Sequence, residues 1–128
     1  FPQCKPLILA NLQERDFGEL EGLTHGEIIQ KPGFVDWGMD ASRMPFPGGE
    51  EEDVFFRRCV RGFEQVLALM EQHQAKSCAV ITHGGVMMSI LAHLFPRSSF
   101  YDWQAGCGRG WLLTQRDSSF EVQPLPLE

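Results

Sequence analysis

His83 follows the unbroken apolar run Cys78-Ala79-Val80-Ile81 after a single threonine, and two glycines come directly behind it. A run without polar alternation reads as a strand covered on both faces, the signature of a parallel sheet. His83 then stands at the carboxyl end of such a strand, ahead of a helix, where open α/β sheets place their ligand sites. The chemistry this favours is anion binding. Gly84 and Gly85 let backbone N–H groups approach a ligand closely, the helix start adds positive potential, and an imidazole beside them can donate to a phosphoryl oxygen. A histidine at a strand end is often only a satisfied polar residue; the glycines and the helix separate the two cases.

Glu14 lies in Gln13-Glu14-Arg15-Asp16-Phe17-Gly18, a charged patch that taken alone reads as a solvated loop. The other histidines carry less chemistry. His73 falls at a helix end, where an imidazolium is favourable, and His93 within a short amphipathic helix. His25 follows a helix cap. No His or Cys pair has the close spacing of a zinc site, so neither metal nor cofactor is expected. Gly106-Cys107-Gly108-Arg109-Gly110 mimics part of a dinucleotide loop but lacks the strand before it and the helix after it. Serine nucleophile elbows and phosphate-cradling P-loops are absent.

These residues need elements to hold them. Pro6 to Leu12 reads as a strand entering a loop, and Thr24 to Lys31 as a short helix capped by Thr24. Pro32 to Gly49 is rich in proline and glycine and reads as a long loop. Acidic residues from Glu50 to Asp53 open a helix expected from about Glu51 to His73, with Phe56, Val60, Phe63, Leu67 and Met70 as its apolar stripe. Helical spacing returns from Val86 to Phe95. Both helices should pack on a strand from Cys78 to Thr82, burying Phe56, Phe63, Leu67 and Ile90. Further on, Phe100 to Trp103 suggests a helical turn. Trp111 to Thr114 and Phe120 to Val122 suggest a hairpin turning at Asp117-Ser118-Ser119. Alternating strands and helices give an α/β class.

With 128 residues and 43% apolar content, the chain is sized for a single domain. Eleven basic against seventeen acidic residues give a net charge of −6 with no basic cluster, which argues against nucleic acid as a partner. The four cysteines form no C-x-x-C pair, at least two of them sit in segments that read as core, and they are expected as reduced thiols of a cytoplasmic protein. No apolar run reaches the roughly 20 residues of a membrane helix, so no membrane partner is expected. The first residue is Phe1 rather than Met, which reads as an internal start.

Three segments in this order resemble the histidine phosphatase (phosphoglycerate mutase-like) superfamily, and within it the alpha-ribazole phosphatase branch. They are Leu12 to Ile28 (LQERDFGELEGLTHGEI), Pro45 to Phe63 (PFPGGEEEDVFFRRCVRGF) and Ala79 to Phe95 (AVITHGGVMMSILAHLF). The resemblance implies that Glu14, in a Leu-x-Glu-x-x-x-Gly pattern closed by Gly18, is the general acid. It implies that His83 is the second catalytic histidine and, with Gly84, holds phosphate. The implied reaction is phosphomonoester hydrolysis through a phosphohistidine, on a small phosphorylated metabolite such as the alpha-ribazole 5′-phosphate of cobalamin synthesis.

In that family an Arg-His-Gly strand carries the nucleophile ahead of the Glu14 segment, and no Arg-His-Gly occurs here. The 128 residues are therefore expected to form the C-terminal portion of one histidine phosphatase domain, a partial three-layer α/β/α fold without its first strand or strands. Such a chain should be inactive alone and self-associate through an exposed sheet edge. Two other readings stay open: a phosphoglycerate mutase, and a non-catalytic fragment or pseudo-enzyme that serves as a binding module. Compact spacing between the Glu14 and helix segments favours the phosphatase over the mutase.

Overall fold

The computed structural model of the chain describes residues 5–31 and 46–126. Its regular elements are a short helix α1 (His25–Ile28), two longer helices α2 (Glu52–Gln72) and α3 (Gly84–Leu94), and strands β1 (Trp111–Arg116) and β2 (Ser119–Pro124). Single 3-10 turns occupy Ala10–Leu12, Gly18–Leu20 and Phe100–Trp103. The α/β class expected from the sequence stands.

Helix α2 starts where acidic residues oppose the positive end of the helix dipole, with Glu52 and Asp53 in its first turn. Its buried residues are Phe55, Cys59, Gly62 and Val66, spaced four, three and four apart along one face. Phe55 and Cys59 meet Val86 and Ile90 of α3 in the core, with Leu12, Phe63 and Leu94 packed around them. The expected stripe is thus displaced by one residue. Ile90 is buried as expected, whereas Phe56, Phe63 and Leu67 are only half-buried. The reason is a doubled pattern, since apolar residues stand side by side at 55 and 56, 59 and 60, and 66 and 67, so two adjacent faces look alike in the sequence. Gly62 settles the choice: a Cβ there would lie 2.5 Å from Leu12 Cδ2, so glycine admits the Ala10–Leu12 turn onto the helix.

The hairpin forms as expected and extends further, from Trp111 opposite Pro124 to Arg116 opposite Ser119. Asp117 takes φ +52 in its two-residue turn, the positive φ such loops require and Asp tolerates. Aromatic contacts join hairpin to helices. Phe95, Trp103 and Trp111 follow one another at 5.2 Å between centroids, and Phe63 meets Phe120 at 5.7 Å.

Two expected strands are corrected. Residues 5–9 and 77–83 join no ladder among the described residues, and the antiparallel hairpin is the sheet that is formed there. Instead of lying under two helices, Ile81 is 94% exposed and Val80 is exposed as well; in the other segment Ile8 is 93% exposed, beside an exposed Leu7. Cys78, expected in the core, is exposed too. A strand is stable only through a neighbour that takes its N–H and C=O groups, and neither segment provides the other's ladder. The Thr82 hydroxyl donates to Leu12 O at 2.8 Å and ties them at one point. Between α2, α3, the hairpin and this exposed segment lies a groove of about 1080 Å³ lined by Phe63, Leu67, Met70, Met87 and Trp111 among others.

Candidate active site

Residues 13–17 make no helix or strand, yet their course is fixed. Asp16 O accepts from Glu50 N–H and Pro47 O from Glu19 N–H, both at 2.9 Å, so 16–19 runs beside 47–50. Gly18 makes this approach possible. It sits at φ +54, and a Cβ on it would stand 2.3 Å from Pro47 O. The closing glycine of the Leu-x-Glu-x-x-x-Gly pattern therefore has a physical reason. Phe17 and Phe46 pack edge to face across this junction at 4.9 Å.

Glu14 is half-buried, and its Oε1 accepts from the Arg15 backbone N–H at 3.0 Å. The same oxygen lies only 2.6 Å from where a Cβ on Gly85 would be. The structure thus brings Glu14 to the first turn of α3, which begins at Gly84 with His83 as its N-cap. His83 has extended backbone, with φ −102 and ψ 163, and its carbonyl accepts from Met87 N–H at 3.0 Å. Its imidazole is exposed and makes no hydrogen bond among the described residues. Gly84 is exposed, with open space where a side chain would project. A carboxylate, a histidine and the first N–H groups of α3 therefore share one end of that helix, a combination able to hold an anion and move a proton.

The other histidines lie elsewhere. His73 closes α2 at its C-cap, and His93 is exposed in the last turn of α3 with its ring 6.2 Å from Phe56. His25 opens α1. The loop expected from Pro32 to Gly49 falls largely outside the described residues. Its end, Phe46 to Gly49, closes a tight turn through Gly49 N–H donating to Phe46 O.

Two arginines that no sequence motif marks also belong to the site. Arg15 is 8% exposed, places its guanidinium 4.3 Å above the Phe46 ring, and donates from Nε to Glu50 O at 2.9 Å. Burial pulls its pKa below the usual arginine value, against the opposing pull of Glu52, Glu50 and Glu51. Arg58 forms a two-pronged bond to Glu50, Nε to Oε1 at 2.8 Å and Nη2 to Oε2 at 2.7 Å. That pairing raises the Arg58 pKa and holds the Glu50 carboxyl below its ordinary value. The available signal was an arginine beside the apolar stripe of α2, two turns beyond a glutamate.

A family model, that of the histidine phosphatase superfamily (branch 1), matches residues 3–118. A protein of Arabidopsis thaliana described as phosphoglycerate mutase-like protein 4 is 27% identical over 89 residues, which cover 67% of this chain and 37% of that protein. A 2,3-bisphosphoglycerate-dependent phosphoglycerate mutase of Cytophaga hutchinsonii is 26% identical over 86 residues, 65% of this chain and 39% of the mutase. The matched stretch thus spans under two-fifths of either relative. No solved structure matches the chain. No described helix is long and apolar enough to cross a membrane. The small sheet and packed helices are those of a partial phosphoglycerate mutase-like α/β fold, and with the match over residues 3–118 the chain belongs to branch 1 of the histidine phosphatase superfamily.

Proposed function

We propose that this chain carries the proton-transfer and phosphate-holding side of a phosphomonoesterase that works through a phosphohistidine. The observation that carries the reading is the Glu14 carboxyl standing against Gly85, at the helix end that His83 and Gly84 open. In this reading the P–O bond of the ester breaks as phosphorus bonds to an imidazole nitrogen, and protonated Glu14 gives its proton to the departing alkoxide oxygen. The resulting carboxylate then takes a proton from water, whose oxygen attacks phosphorus and releases phosphate and the free imidazole. Phosphoryl transfer needs positioning and positive charge above all, and His83 and the N–H groups beside it contribute hydrogen-bond donors to the phosphoryl oxygens. The nucleophilic imidazole is assigned to residues other than these 128, which hold no Arg-His-Gly.

The substrate class is a small phosphorylated metabolite, with alpha-ribazole 5′-phosphate suggested by the resemblance of the three segments. Phosphoglycerate mutase is the second reading, favoured by the names of the two relatives. The experiment is a panel on the longest open reading frame containing this chain. It compares p-nitrophenyl phosphate, alkyl phosphates, alpha-ribazole 5′-phosphate and 3-phosphoglycerate with 2,3-bisphosphoglycerate. Glu14→Gln should slow alkyl ester hydrolysis by about 100-fold or more and the activated phenol far less, because only the alkoxide needs the proton. Equal losses on both would refute the general-acid role, and 3-phosphoglycerate isomerisation without ester hydrolysis would favour the mutase.

A further inference from the structure

The Glu14 carboxylate has few anchors of its own. Its hydrogen bond comes from the backbone N–H of the next residue, so the path of the main chain decides where it points. That path follows no ladder, and carbonyls outside secondary structure must find donors elsewhere. They find them on Arg58. Its Nη1 donates to Asn11 O and Gln13 O, both at 3.0 Å, and its Nη2 to Glu14 O at 3.3 Å. Together with the two bonds to Glu50, these engage as many partners as a guanidinium has N–H donors, about five. Glu50 fixes the plane of that fork and is itself held on both sides, donating its N–H to Asp16 O and accepting Arg15 Nε at its carbonyl.

We infer that Arg58, oriented by Glu50, is a positioning residue for Glu14, setting the course of residues 11–16 so that the carboxylate stands against Gly85. The inference rests on the reading of Glu14 as the proton donor. A lysine keeps the charge but lacks the planar fork, so it cannot hold Glu50 and three carbonyls in one geometry.

The test uses Arg58→Met, Arg58→Lys and Glu50→Gln with two readouts. In the protein itself, the NOE between the Glu14 side chain and Gly85 should weaken in all three variants, most in Arg58→Met. In the longest open reading frame, hydrolysis of an alkyl phosphate should fall about tenfold or more in Arg58→Lys while p-nitrophenyl phosphate falls less than about threefold, the pattern of Glu14→Gln in milder form. Should Arg58→Met fail to fold, Arg58→Lys carries both arms. An undiminished Glu14–Gly85 NOE in folded Arg58 variants overturns the inference. So does an equal loss on both esters in Arg58→Lys when Glu14→Gln discriminates between them. If Glu14→Gln does not discriminate, the general-acid reading fails instead, and the NOE alone decides whether Arg58 positions Glu14.

Discussion

Two stretches without regular structure sit side by side in this molecule and have opposite fates. Residues 13–16 are polar and read as a solvated loop, yet they are held by Arg58, Glu50 and the turn at Gly18. Residues 77–82 are apolar and read as a buried strand, yet Val80 and Ile81 face solvent. Apolar content is not what fixes a segment. A stretch of backbone becomes well placed when its carbonyls and N–H groups have partners, and a single arginine with its glutamate can supply several of them.

The largest expected effect breaks the first half of this contrast. Arg58→Met removes the donors to Asn11, Gln13 and Glu14 and leaves Glu50, whose side chain is 15% exposed, without its counter-charge. Unfolding in urea should show a loss of about 2–3 kcal/mol. A loss below about 0.5 kcal/mol would mean that residues 11–16 are held by something else.

A smaller effect is expected from acid. Pairing with Arg58 holds the Glu50 carboxyl below its ordinary value, so its contribution is fully present above the unfolded glutamate value, about 4.3. It is lost as pH falls through the lower folded value. Glu27, held low chiefly by its hydrogen bond with Thr24, adds to the same slope. Comparing Glu50→Gln with the parent from pH 7 to pH 3 isolates Glu50, and the variant should show the shallower decline. Parallel curves would remove the ion pair from the account.

The smallest effect sharpens the other half. Ile81→Thr should change stability by no more than about 0.5 kcal/mol, because a side chain 94% exposed loses little on truncation. The same substitution should lower the sedimenting mass if these exposed apolar segments, rather than the sheet edge expected from the sequence, mediate self-association. A loss above 1 kcal/mol, on the order of a buried aliphatic truncation, would place Ile81 in a packed environment and dissolve the contrast.

Local signals in the sequence located α2, α3, the hairpin and the turn at Phe100–Trp103. Helical spacing, acidic N-termini and turn residues act within a few positions, so they can be read without the rest of the fold. The strands expected at Pro6–Leu12 and Cys78–Thr82 are not legible in this way, since a ladder depends on a partner distant in sequence. The face of α2 was ambiguous for a different reason, its doubled apolar residues. At the site, the strand–glycine–helix context points to His83 and Gly84 and the family resemblance to Glu14, and the structure brings Glu14 to the helix end that His83 and Gly84 form. Arg58 stands out less because, beside the Glu50 carboxylate, its acceptors are three backbone carbonyls more than 40 positions away, which leave no mark on residue type.

Cys59 gives the core a chemical clock. It is fully enclosed between α2 and α3, and burial pushes its thiol up to about 11, so at neutral pH almost no thiolate exists to meet an alkylating reagent. Cys78 and Cys107 are exposed and would be consumed first. Slow labelling of Cys59 afterwards would then count the rare moments when the two helices part, a measure of opening that needs neither substrate nor denaturant.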